Sequence, residues 1–177
     1  MRDDELSLDR WANFYVVTST AAATLIGLLF VVITLAAERR PKEAPKIRLY
    51  LTATVVYFGS TLCLATLLTF PNHSPLTAAL CGGLVGVIGM LYSASPLVER
   101  GRRKAQYEHP SDMIQYVVIP VAAYGLLVLG GVLLLYKAQR GLTLVAMGMF
   151  ALLTLALRNS WSIAVNLVSS GDGSGNE

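Results

Sequence analysis

A catalytic or ligand-binding centre needs groups that titrate, ligate or attack, gathered within bonding distance. This chain offers few. Its two histidines, His73 and His109, fall in connections between apolar runs. Those connections lie on opposite sides of any membrane the runs cross, so the pair cannot ligate one metal. Its two cysteines, Cys63 and Cys81, have no Cys-x-x-Cys spacing and sit inside apolar runs, where a cysteine serves as a small apolar filler. Each lies nine residues from Asn72 and so at matching depth. A disulfide would still need their Cβ vectors to face each other. No His-Glu-x-x-His, Gly-Lys-Ser/Thr or Gly-x-Ser-x-Gly string occurs. No acidic residue lies near the centre of a run, where proton-coupled transport keeps one. The expectation is a non-enzyme with no catalytic residue, no metal site and no cofactor.

Polar residues inside the runs are the remaining places for chemistry. Tyr50, Thr54, Tyr57 and Thr61 recur at spacings that put four hydroxyls on one helical face. Such a face either ties helices together by hydrogen bonds or lines a cavity, and the first use is expected. Arg158 and Asn159 interrupt the last apolar run. Two placements are open for Arg158. It snorkels to the headgroups, or it faces the interior with Asn159 and meets Glu108 or Asp112. Pro120 removes a backbone donor from the fourth run and is a candidate hinge.

Helices in lipid gain little from burying apolar surface on each other, so small residues that allow close approach mark contact faces. Ala78, Gly82 and Gly86 lie four apart in the third run, and Ser19, Ala23 and Gly27 do the same in the first. Ala23, Gly27, Gly82 and Gly86 are therefore the candidate helix-packing positions. The partner of each face, the same chain or a second copy, is left open.

The elements that position these residues are legible from hydropathy. Of 177 residues 54% are hydrophobic and only 14% charged, with a mean hydropathy of +0.57. Soluble domains carry about 25% charged residues. The expected fold is all-α, a polytopic membrane helix bundle of about five transmembrane helices. The spans fall at about 14–37, 49–70, 76–98, 113–136 and 142–161, the last reaching 168 if Arg158 is interior. Each approaches the roughly 20 residues that a bilayer requires. Residues 1–13 form a short extracytoplasmic tail, 14–168 a single membrane domain and 169–177 a flexible tail. The first run is longer than a signal-peptide core and follows an acidic segment, so it is read as a retained helix.

Basic residues set the orientation. Placing the first and third connections inside puts ten Lys and Arg there and leaves four outside. The N-terminus is then outside and the C-terminus cytoplasmic. Trp11, Phe14 and Tyr15 are expected in an outer aromatic belt, with Tyr50 and Trp161 near the inner one. The net charge of +3 resides in these connections. It suits the lipid bilayer, with anionic headgroups near Arg39, Arg40, Arg102 and Arg103, rather than nucleic acid.

The opening of the first run, from Trp11 through Leu25-Ile26-Gly27-Leu28-Leu29-Phe30-Val31, resembles that of uncharacterised small bacterial multi-pass inner-membrane proteins. The string Leu157-Arg158-Asn159-Ser160-Trp161 is similar to theirs as well. The resemblance implies a bacterial inner-membrane location and carries no activity. Two functional expectations follow. One is a non-enzymatic accessory or structural subunit acting through helix–helix or protein–protein contacts. The other is a small oligomeric channel or solute transporter. A homo-oligomer fits either, and the protein partner is not readable.

Overall fold

The structure, a computed structural model, describes residues 2–39, 44–70, 74–100 and 117–169. Five helices are present: α1 (Arg2–Arg39), α2 (Ala44–Thr69), α3 (Pro75–Arg100), α4 (Ile119–Leu134) and α5 (Ala138–Ser169). No strand occurs among the described residues. Four helices are long and apolar enough to cross a membrane, over Trp11–Thr34, Thr52–Thr69, Pro75–Ser95 and Gln139–Val165. The fourth helix, α4, is apolar but only 16 residues long. That is about 24 Å at the α-helical rise. Residues 113–116, which the fourth expected span includes, lie outside the described residues.

Helix ends differ from the apolar runs because backbone hydrogen bonding does not stop where hydropathy changes. Residues 2–13 of the expected N-terminal tail are continuous with α1 as helix from Arg2, and that stretch carries neither Gly nor Pro to break it. At the other end α5 starts at Ala138, four residues before its apolar run, and continues to Ser169. Residues 170–177 of the expected flexible tail lie outside the described residues. The start of α3 follows the Ser74-Pro75 pair closely. The Thr77 N–H donates to Ser74 Oγ at 3.1 Å, and Pro75 takes the first helical position, where its missing N–H costs nothing. A tight turn joins α4 to α5, with the Lys137 N–H donating to the Leu133 carbonyl at 2.7 Å.

In the bundle α4 lies between α3 and α5, while α1 and α2 pack together and rest on α5. A smaller contact joins α2 to α3. The core is built from Tyr57, Phe58 and Leu64 of α2, Tyr124 and Leu127 of α4, and Leu142, Met149 and Leu152 of α5. The outer surface is apolar too. Leu80, Leu84 and Leu91 of α3 and Leu129 of α4 are more than half exposed, as lipid-facing residues are.

Candidate functional site

The closest helix contacts run along both sides of α4. Gly82 and Gly86 of α3 are buried against it. A Cβ added at Gly86 would lie 2.7 Å from Val128 Cγ2 and 3.1 Å from the Tyr124 carbonyl oxygen. On α4 itself, a Cβ at Gly131 would sit 2.9 Å from the Ala79 carbonyl oxygen of α3. Its neighbour Gly130 faces the other way, and a Cβ there would be 2.9 Å from the Val145 nitrogen of α5. Adjacent residues on a helix point about 100° apart, so two consecutive glycines let α4 approach two partners at once.

Ala23 and Gly27 are placed differently. Both are exposed, and a Cβ at Gly27 would meet nothing within 4 Å. Their face of α1 points away from this chain. The inward face of α1 carries Tyr15, Thr18, Ala22 and Leu29 instead. Tyr15, expected in the outer aromatic belt, turns inward. It is fully buried, because it shares its helical face with the residues that pack on the bundle. Trp11 and Phe14 surround it with ring-centroid distances of 6.4 and 5.5 Å.

Ser60 and Tyr57 of α2 meet Tyr124 of α4, a residue sequence reasoning did not single out as a site. Its ring lies on Gly89 of α3, where no side chain intervenes. Its hydroxyl is 2.9 Å from Ser60 Oγ of α2, and its ring centroid is 6.2 Å from that of Tyr57. One side chain therefore links three helices. The signal in the sequence was a tyrosine within an apolar run, since a buried tyrosine needs a hydrogen-bond partner. Thr54, Tyr57 and Thr61 of the hydroxyl face are all buried. Thr61 Oγ1 donates to the Tyr57 carbonyl at 3.0 Å, so this hydroxyl is satisfied by its own helix. Tyr50 has no described side chain.

Arg158 and Asn159 part company. Asn159 is 3% exposed, and its Oδ1 has no hydrogen-bond partner. Arg158, one residue earlier, is exposed on the outer face of α5. The helix itself does not end near Trp161 but continues to Ser169. Glu108 and Asp112, considered as partners, lie outside the described residues, as do His73, His109, Arg40, Arg102 and Arg103. Arg39 closes α1. Ser93 Oγ and Tyr15 Oη are also buried without a partner. Both cysteines are free, Cys63 exposed and Cys81 half-buried.

Pro120 is the buried second residue of α4, and the residues just ahead of α4, Val117 and Val118, are π-helical. Helical backbone is therefore present on both sides of the proline. A proline next to π-helical residues marks a place where a helix bends.

Packed apolar helices, inward hydroxyls and an apolar exterior are the features of the multi-pass membrane class, here with four helices that meet the length and composition of a span. No protein-family model matches the chain, and neither a curated protein nor a solved structure matches it.

Proposed function

We propose that this chain is a non-enzymatic membrane protein that acts through helix–helix and protein–protein contacts, as a structural or accessory subunit. In this reading it crosses the bilayer five times, with the N-terminus outside and the C-terminus cytoplasmic, in a bacterial inner membrane. The observation that carries it is the packing around α4. Gly86, Gly89, Gly130 and Gly131 bring three helices to close contact, and Tyr124 reaches across to a fourth. A bundle held this closely is suited to present a fixed outer surface. The small-residue face of α1, with Ala23 and Gly27 turned outward, belongs to that surface.

A second reading is a small oligomeric channel or solute transporter. It is favoured by Asn159 Oδ1 and Ser93 Oγ, two buried polar atoms without partners. Reconstitution into liposomes separates the two readings. Accessory function predicts no conductance or uptake with common ions and small solutes. Solute flux above that of empty liposomes, abolished by Asn159→Leu, would refute it. A reporter fused after Glu177 that is active only outside the cell would refute the orientation.

A further inference from the structure

The outward placement of Arg158 has a counterpart at the far end of the same helix. Arg140 and Arg158 are 18 residues apart on α5, and both are exposed. At 3.6 residues per turn that separation is five full turns, so the two arginines lie on one face. Along the helix axis it is about 27 Å, close to the roughly 30 Å of a bilayer's hydrocarbon core. Between them the same side of α5 exposes Thr143, Met147, Phe150 and Thr154, with each threonine hydroxyl donating to a carbonyl of its own helix. An exposed stripe of apolar side chains and hydroxyls bonded within the helix, with a basic residue at each end, measures the thickness of a membrane. Trp161 follows Arg158 by three residues, on the adjoining part of that face, and is 72% exposed. Tryptophan prefers the headgroup level, where its ring is in an apolar zone and its N–H is wet. The rotation of the helix is fixed independently by Asn159, whose burial turns Arg158 outward.

We propose that Arg158 and Trp161 form a binding site for the headgroup of an anionic phospholipid. The guanidinium donates to the phosphate, and the indole lies along the upper acyl chain. The site is selective for net negative headgroups, because Arg158 is a single permanent cation held at the edge of low-dielectric lipid. A basic residue near such a surface enriches anionic lipid by about fivefold. The proposal rests on the membrane embedding proposed above.

The chain has two tryptophans, so Trp11→Phe leaves Trp161 as the only one. This variant is placed in vesicles of mainly zwitterionic lipid containing a small, equal fraction of either anionic or zwitterionic lipid with brominated acyl chains. Fluorescence quenching should be several-fold stronger with the brominated anionic lipid. Arg158→Gln in the same background should equalise the two, and Arg158→Lys should retain part of the preference. Equal quenching by both lipids, or a preference that survives Arg158→Gln, overturns the site while leaving the embedding intact. No quenching by either lipid overturns the embedding of α5 itself.

Discussion

Gly86 and Gly27 offer a controlled comparison, since the same substitution meets opposite surroundings. At Gly86 an added methyl would press on Val128 Cγ2 at 2.7 Å, on the Val128 nitrogen at 3.0 Å and on the Tyr124 carbonyl oxygen at 3.1 Å. Two of these atoms are backbone, so α3 and α4 must separate rather than one side chain rotate. Overpacking of this kind costs about 1–3 kcal/mol. Replacing glycine by alanine within a helix returns about 0.8–1 kcal/mol through backbone entropy in water. For Gly86→Ala the expected net loss is thus about 0–2 kcal/mol, centred near 1. At Gly27 nothing lies within 4 Å, so Gly27→Ala keeps only the favourable term. The expected gain is about 0.4–1 kcal/mol. The two variants should differ by about 2 kcal/mol, or roughly thirtyfold in the unfolding equilibrium. Titration from mild detergent into SDS, followed by loss of helical circular dichroism, measures the difference. Gly86→Ala as stable as Gly27→Ala would refute the close approach of α3 and α4. A large loss at Gly27 would show that its face is covered in the folded protein.

Tyr124→Phe and Ser60→Ala should each cost about 0.6–1 kcal/mol, and the double variant should cost little more than either. Full additivity in that cycle would show that the 2.9 Å contact contributes no coupling. Asn159→Leu should change stability by less than about 1 kcal/mol or increase it, because it removes an acceptor that has no partner. In the same SDS titration, a loss above about 2 kcal/mol would mean that the amide is satisfied by a group not described here.

The legible parts of the fold were those set by local chemistry. Ser74 and Pro75 state the start of α3 in two residues, since a hydroxyl cap and a proline at the first position suit only a helix N-terminus. The spacing of Gly82 and Gly86 picks out a face of α3 that lies on α4. Equal spacing in α1 picks out Ala23 and Gly27, which face away. Small-residue spacing defines a face but holds no information about what meets it. Tyr124 was hidden for a related reason. Its contact with Ser60 bridges 64 positions of sequence and depends on the register of three helices. The opposite fates of Arg158 and Asn159 follow from the rotation of α5, which is set by Met149, Leu152 and Ala156 packing inward. No local pattern around two adjacent polar residues could decide which one turns inside. The helical N-terminal segment was missed because hydropathy reports where a membrane could lie, not where a helix begins.

The arrangement of contacts divides the bundle along a seam. On one side α3, α4 and α5 form a slab joined by glycine-lined contacts, and on the other stand α1 and α2. Tyr124 and Ser60 sit on opposite sides of that seam, and their hydrogen bond fastens it. Any movement that lifts the α1–α2 pair from the slab must release this fastener and uncover a tyrosine ring and two hydroxyls to whatever enters. Any movement within the slab would instead have to pull apart backbones already in contact. The seam is thus the boundary along which the packing of α1 and α2 on α5 and the described α2–α4 hydrogen bond act together.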